Sequence, residues 1–341
     1  MSHPQHEPLV GPAAVMQLLQ GAQATAILKA AVDLGVFAKL DGGPLDADQL
    51  AAGIDCPART TRILADALCI LGLTSKTGGQ YRLTPLAADH LVPGKPMYIG
   101  DLLRIFASPN MWSGMFRLSE AVRAGGSVLE SHAETPANAF WETFAQASAA
   151  MAFPGAMALE GIVHDWIAKR PRCRVLDIAA GSGIYGYTLA KHPNVELTCL
   201  DWPNVLEETT KWAPRLGVDA SRVHYRPGNL FEVDYGGPYD LILLSHVYHH
   251  FDAPTCAQLT RKVAAALAPG GRVAVQDMVH DETLANPGAT MFSVVMMMWT
   301  KKGESFTVDD YRRWFLEAGL SEPALHTSQG MPASWLIADK R

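Results

Sequence analysis

The chain has 341 residues, 48% of them hydrophobic and 18% charged, with a formal net charge of −6. That length suggests about two domains, and the apolar share supports a sizeable core while excluding disordered, collagenous and low-complexity classes. The acid excess argues against a general nucleic-acid binder, and five scattered cysteines without a Cys-x-x-Cys pair read as reduced thiols with neither a disulfide framework nor a zinc–thiolate site.

The first eight residues, Met-Ser-His-Pro-Gln-His-Glu-Pro, lack the positive and apolar regions of a signal peptide, so a cytoplasmic location is expected. Val15 to Leu34 carries apolar residues at helical spacing, with Gly35 as the stop. Asp46 can cap a second helix, Ala47 to Ala52, and Pro57 opens a third that runs to Leu71 before Gly72. Leu73 to Thr84 reads as a strand, a Gly78-Gly79 turn and a strand. Three helices and a hairpin make a winged-helix pattern over residues 1–95. Many such folds hold DNA, but this stretch has seven Lys plus Arg against eight Asp plus Glu. Its third helix offers only Arg59 and Arg62 against Asp66. Phosphate binding needs clustered cations, so a packing or dimerisation module is expected.

Residues 96–170 read as helical and are punctuated by prolines. Within them Ala137 to Met151 is rich in Phe, Trp, Ala and Met, which suits either a buried connecting helix or a pocket wall. Trp141 and Phe144 are the candidate wall residues.

From Cys173 onward, over residues 171–341, strands and helices alternate. Strands are expected at Arg174–Ala179, Val195–Leu200, Val223–Pro227, Asp240–Leu244, Arg272–Gln276 and Trp335–Ala338. Helices are expected at Tyr185–Lys191, Leu206–Leu216, Thr255–Leu267 and Val308–Ala318. This predicts an α/β, Rossmann-like parallel sheet covered on both faces, with its ligand beyond the carboxyl ends of the strands.

The first strand leads into Gly181-Ser182-Gly183-Ile184-Tyr185-Gly186, a Gly-x-Gly-x-x-Gly loop, with Asp201 eighteen residues past Gly183. Such a loop serves dinucleotides and S-adenosylmethionine alike. Asp177, four residues before Gly181, separates them. A carboxylate beside a pyrophosphate is repelled, whereas the sulfonium and ammonium of S-adenosylmethionine are tolerated or favoured. Asp201 can accept hydrogen bonds from ribose hydroxyls in either case.

Together Val175-Leu176-Asp177-Ile178-Ala179-Ala180-Gly181-Ser182-Gly183, Leu200-Asp201-Trp202-Pro203, Gly228-Asn229-Leu230-Phe231, His249-His250-Phe251-Asp252 and Leu267-Ala268-Pro269-Gly270-Gly271 resemble the class I S-adenosylmethionine-dependent methyltransferases. More narrowly, the chain resembles small-molecule O-methyltransferases of the caffeate and hydroxyneurosporene type, over nearly its whole length. The resemblance implies a seven-stranded methyltransferase sheet behind a winged-helix dimerisation domain, working as a homodimer on a small-molecule acceptor. It also implies S-adenosylmethionine held by Asp177, Gly181, Gly183, Asp201, Trp202, Gly228, Asn229, Leu230, Ser245 and His246. Two positions depart from the family pattern: Ala179 and Ala180 stand for loop glycines, and Asn229 stands for Asp. Asn229 can still accept from an adenine amino group.

His249 matches the family's general base, and His250 replaces its Asp. Asp277 matches the first supporting Glu and Glu304 the second, although Asp277 is one methylene shorter. A phenol (pKa ~10) transfers its proton to a free imidazole (~6.5) uphill by ~5 kcal/mol, so transfer must accompany attack on the methyl carbon. A rival use of the same residues is a metal held by His246, His249, His250 and either His280 or His326, which would serve C-methylation of a keto acid. A metal-free site is the expectation. A third reading is a DNA-binding regulator that senses the cofactor.

Met291 to Trp299 is apolar all round but only about half of the ~18–20 residues that a membrane span needs. Met291, Val295 and Met298 lie at helical spacing and, with Trp141 and Phe144, could line an apolar acceptor pocket.

Overall fold

The protein is described by a computed structural model that covers residues 11–328 and 330–341. The leader reading at Met1–Pro8 lies outside the described residues. The chain divides into two compact units, Met1–Ser108 and Pro109–Arg341.

The first unit holds α1 (Gly11–Asp33), α2 (Val36–Asp41), α3 (Ala47–Gly53), α4 (Ala58–Ile70), β1 (Thr74–Thr77), β2 (Gln80–Leu83), α5 (Pro85–His90) and α6 (Leu103–Phe106). The local chemistry explains the breaks. Gly35 takes φ 71 and ends the first helical run. Asp46 accepts from the Gln49 N–H while the Gln49 side chain returns to the Asp46 N–H, a reciprocal cap for α3. The two strands pair antiparallel from Thr74↔Leu83 to Thr77↔Gln80. Phe37, Leu40, Leu50, Leu68 and Tyr81 form the unit's core. Asp66 answers the cations of the helix and the hairpin together: Arg62 lies 3.0 Å away and Lys76 2.8 Å, and the Tyr81 hydroxyl donates to it at 2.7 Å. At the other end, Val15, Met16, Leu18 and Leu19 of α1 are exposed.

The second unit begins with α7 (Pro109–Phe116), α8 (Leu118–Ala124), α9 (Ala139–Ala147) and α10 (Ala149–Ala168). It continues with β3 (Cys173–Ile178), α11 (Ile184–Leu189), β4 (Val195–Asp201), α12 (Pro203–Thr210), α13 (Trp212–Arg215), β5 (Val223–Pro227), β6 (Tyr239–Ser245) and α14 (Ala253–Ala266). It closes with β7 (Leu267–Asp277), α15 (Pro287–Trp299), α16 (Val308–Glu317), β8 (Ala324–His326) and β9 (Ser334–Asp339).

Seven strands form one sheet in the order β5-β4-β3-β6-β7-β9-β8. The order reverses between β3 and β6, which opens a crevice at their carboxyl ends. β5 to β7 run parallel as expected, but β9 is antiparallel to both β7 and β8, so the sheet is mixed. The reason is connectivity. Only residues 327–333 join β8 to β9, too few for the crossover that a parallel pair requires.

Side chains alternate across the sheet. Val175, Leu241, Leu243, Ala274 and Trp335 pack toward α10 and α11, while Leu176, Ile242, Leu244, Val273 and Val275 pack toward α14 and α16. That parity sends Asp177, Ser245 and Gln276 to the first side and Asp277 to the second.

Two substitutions at the loop after β3 should move stability in opposite directions. A Cβ at Gly186 would lie 2.7 Å from Leu197 Cδ1 and 2.9 Å from Asp177 Oδ2. Gly186→Ala is therefore expected to cost about 1–3 kcal/mol by overpacking. Ala179 holds φ 55, where a Cβ is strained, so Ala179→Gly should gain roughly 0.5–1 kcal/mol after the chain-entropy penalty. Urea unfolding midpoints of the two variants check both signs.

Candidate active site

The loop between β3 and α11 crosses from sheet to helix through three left-handed residues, Ala179 and Gly181 at φ 55 and Gly183 at φ 75. At Gly183 a Cβ would also strike the Tyr187 ring at 2.5 Å, so glycine is required there on two counts. Asp177 is buried, and its Oδ2 accepts from the Gly186 N–H at 3.0 Å. Burial pushes this carboxyl up to about 8, and the neighbouring carboxylate of Asp201 adds to the rise. Asp201 closes β4 and accepts from the Gly181 N–H at 2.8 Å and the Trp202 N–H at 2.7 Å. Burial raises Asp201 to about 6 against the lowering effect of those two donors.

The Gly228 N–H donates to the Asp201 carbonyl at 2.9 Å, which brings the Gly228–Phe231 segment to the same crevice. There Asn229 accepts from the Phe231 N–H at 3.0 Å and donates to Glu232 at 3.0 Å. The Leu230 carbonyl is pinned by the Tyr235 hydroxyl at 2.8 Å and by Lys262 at 2.9 Å. Ser245, at the end of β6, has a buried hydroxyl with no hydrogen-bond partner among the described residues.

Past Ser245 the chain turns sharply. His246 takes φ 60 and donates its N–H to the Gln276 carbonyl at 2.8 Å, and a short 3-10 turn, Tyr248–His250, follows. That turn solves the reach problem at Asp277. It carries the His249 N–H to within 3.3 Å of Asp277 Oδ2 and folds the ring so that Nδ1 bonds Asp277 Oδ1 directly. The Met278 N–H at 2.7 Å and the Tyr311 hydroxyl at 2.9 Å complete the carboxylate's partners. Burial alone would raise Asp277, but the His249 ring outweighs it and holds the carboxyl down at about 2. His246 is pushed down to about 4 by burial and by His249, and His250 falls well below its ordinary value for the same reasons. Both rings are therefore neutral near pH 7.

The ring of Phe292 stands edge-on to His249 with centroids 4.7 Å apart, and His250 stands edge-on to Trp141 at 5.3 Å. Trp141 and Phe144 meet edge to face at 5.5 Å. The stripe expected on α15 is turned. Met291 is exposed, and Met298 is buried over Gly114, where a Cβ would meet its Sδ at 2.0 Å. Val295 packs with Phe292 and Trp141 against a small core that contains Met296 and Trp299. The side of α15 nearest His249 is thus marked by Phe292, a residue the sequence reading did not single out. Tyr311 was also missed, since on an amphipathic helix it reads as core beside Trp314 and Phe315.

Glu304 is exposed and lines an open cleft of about 370 Å³ with Gly125, Gly126 and Lys301. Among the described residues no hydrogen bond joins Glu304 to His249 or Asp277. Donor atoms of His246, His249 and Asp277 all lie within 4.8 Å of one another, but His250, His280 and His326 do not enter that group among the described residues.

Comparison with known proteins matches residues 170–321 to an O-methyltransferase domain and residues 16–93 to an O-methyltransferase dimerisation domain. A solved structure from Nostoc punctiforme, assigned as an O-methyltransferase, is 36% identical with a TM-score of 0.91, covering 97% of this chain and 100% of that one. The chain belongs to the O-methyltransferase family. A further relative is the tetracenomycin polyketide synthesis 8-O-methyl transferase TcmO of Streptomyces glaucescens, 28% identical over 93% of this chain and 94% of that protein. The human N-acetylserotonin methyltransferase, solved with S-adenosylmethionine, shares the fold at 22% identity and a TM-score of 0.84, covering 98% and 99% of the two chains.

This O-methyltransferase depends on S-adenosylmethionine, and the crevice fits that donor. The loop presents glycines and carboxylates where a phosphate ligand would need cations. The unpartnered hydroxyl of Ser245 and the raised carboxyls of Asp177 and Asp201 are groups that hydroxyl, ammonium and sulfonium functions can satisfy.

A ligand diol that donates to Asp201 favours its ionised form. S-adenosylhomocysteine should therefore bind more weakly as pH falls through about 6, with proton release on binding near that pH. Titration calorimetry between pH 5.5 and 7.5 in buffers of different ionisation heat reads this directly. The Asp201→Asn variant should lose that share of the pH dependence.

Proposed function

We propose that the protein methylates a hydroxyl of a small aromatic or polyketide-like acceptor, with His249 as general base. The observation that carries this reading is the buried Asp277–His249 pair, bonded through Nδ1, which leaves the other ring nitrogen, Nε2, available to an acceptor. S-adenosylmethionine, when bound, supplies an electrophilic methyl group on a sulfonium. Asp177, Gly181, Gly183, Asp201, Trp202, Gly228, Asn229, Leu230, Ser245 and His246 are the residues proposed to hold it. Asn229 keeps one lone pair on Oδ1 for an adenine amino group.

Nε2 of His249 takes the acceptor's hydroxyl proton as the oxygen attacks. Asp277 fixes the tautomer and stabilises the charge that appears on the ring. Phe292 and Trp141 line the approach and exclude water, which suits an apolar ring. Glu304, expected as a second support for the base, stands exposed, so its contribution is proposed as minor beside that of Asp277.

The keto-acid alternative gathers several histidines on one ion. Of those histidines only His246 and His249 share a donor group among the described residues, and its third member, Asp277, already accepts from four donors, which matches the capacity of a carboxylate. The regulator alternative needs free cations on the winged helix, and Arg62 and Lys76 are both engaged by Asp66.

The family's dimerisation domain spans residues 16–93, and we propose a homodimer whose contact includes the exposed Val15, Met16, Leu18 and Leu19 of α1. Residues 96–170 are proposed as helical linker and pocket wall. Among the described residues no helix is long and apolar enough to cross a membrane, and a cytoplasmic location is proposed.

His249→Gln should cut turnover on a phenolic acceptor by roughly 10²–10⁴-fold while leaving S-adenosylhomocysteine affinity unchanged. Survival of turnover in that variant rejects the base assignment. Asp277→Asn offers one oxygen where four donors converge, so it should lose turnover and also about 1–3 kcal/mol of stability. Stopped assays and urea melts on the same preparation separate the two effects. If turnover collapses with EDTA and returns with a divalent metal, the keto-acid reading replaces this one.

A further inference from the structure

At the amino-terminal end of the sheet, opposite the crevice, three donors meet that the methyl-transfer chemistry does not use. Glu160 and His164 lie one turn apart on α10, four residues apart and so on one face. His192 comes from the turn between α11 and β4. The His164 Nδ1 is 2.6 Å and the His192 Nε2 3.2 Å from the same atom, Glu160 Oε1. The two rings stand 5.0 Å apart at 58° to each other, and all three donor atoms lie within 4.8 Å of one another. From these contacts we infer that Glu160, His164 and His192 form a binding site for one divalent transition-metal ion of the zinc class.

Zinc holds imidazole nitrogen and carboxylate oxygen at about 2.0–2.2 Å in a tetrahedron, which spaces its donors about 3.3–3.6 Å apart. The two contacts to Glu160, 2.6 and 3.2 Å, are shorter than that spacing, so the side chains must rotate apart by up to about 1 Å to admit the ion. Two neutral imidazoles and one carboxylate form a ligand set for zinc, nickel or copper. The hard ions magnesium and calcium prefer all-oxygen shells. His164 is 55% exposed, which leaves the fourth position to water.

The ligands stand on rigid supports. Leu159, Val163 and Ile167 anchor α10 in the core with no exposed surface. The turn that carries His192 is tied to the end of that helix by Asn194, whose amide donates to the Ile167 carbonyl at 2.9 Å and the Arg170 carbonyl at 2.8 Å. Arg222 donates to the His192 carbonyl at 2.9 Å from a third direction. Preformed geometry of this kind lowers the ordering cost of binding. The bound ion would clip α10 to the α11–β4 turn and stabilise the catalytic unit, with no part in the transfer itself.

The test is a zinc titration of the untagged full chain against a chromophoric chelator, with thermal unfolding followed in parallel. The wild-type protein should take up one high-affinity zinc per chain and melt at a higher temperature with it. His164→Ala and Glu160→Gln should each weaken uptake by at least about tenfold and abolish the shift in melting, while methylation without zinc is unchanged. His249→Ala should keep both the uptake and the shift. Undiminished uptake in His164→Ala, loss of it in His249→Ala, or no micromolar binding by the wild type would each overturn the assignment.

Discussion

A carboxylate without solvent at the end of a central strand is the constraint around which the active site is arranged. Asp277 has no exposed surface, and an unpaired charge there would cost several kcal/mol. Its four donors come from three places: the residue just past β7 through Met278, the 3-10 turn through His249, and α16 through Tyr311. Satisfying the charge therefore fixes where the His249 ring must lie. It also explains why the chain leaves β6 so abruptly, with His246 in a left-handed conformation uncommon outside glycine. The strain is local, and the hydrogen bonds it makes possible are charge-assisted.

The period of a strand distributes the remaining polar groups. Asp177 and Ser245, at the ends of neighbouring strands, share the face toward α10 and α11, while Asp277 takes the opposite face. Gln276 pairs with Ser245 across the β6–β7 ladder, and its buried amide, like the Ser245 hydroxyl, has no hydrogen-bond partner among the described residues. Such groups each cost about 1–3 kcal/mol until a ligand or water satisfies them. One face of the sheet end is thus left with unsatisfied groups, on the side proposed for the cofactor, while the other is bonded around Asp277 and His249. A one-residue slip in β7 would exchange the two environments and destroy both.

Most of this was legible in the sequence where a residue type has few alternatives. Gly181 and Gly183 marked the turn after the first strand, Asp201 its place at a strand end, and Pro57 and Asp46 the starts of helices. The histidine run pointed to the base proposed here, and Asp277 does stand at the end of its strand beside His249. What the sequence could not convey was phase. Residues 287–299 are apolar on every side, so hydrophobicity carries no signal for which stripe faces inward. Met298 is core, Met291 is solvent-facing and Phe292 meets the base, an outcome set by packing over Gly114 and not by composition. β8 escaped notice because three residues with an exposed pattern hold no periodicity to read. Its antiparallel pairing with β9 followed from the shortness of the intervening loop. Whether Asp277 could reach the ring depended on the 3-10 turn, a backbone feature with no residue signature.

The three carboxylates of the site also divide by what answers them. Asp277 is held low by the imidazole it orients, and this pairing persists whether or not a ligand is bound. Asp177 and Asp201 are held high because main-chain N–H groups only partly offset their burial. A ligand that brings positive charge or hydroxyl donors to that side relieves the penalty, and by linkage the protein is stabilised in proportion. A neutral counterpart of the same shape gains less. The proposed catalytic pair is thus assembled in advance, while the side proposed for the cofactor stays electrostatically incomplete until occupied. On that reading, discrimination for a cationic donor resides in groups apart from Phe292 and Trp141, which stay free to set acceptor preference independently.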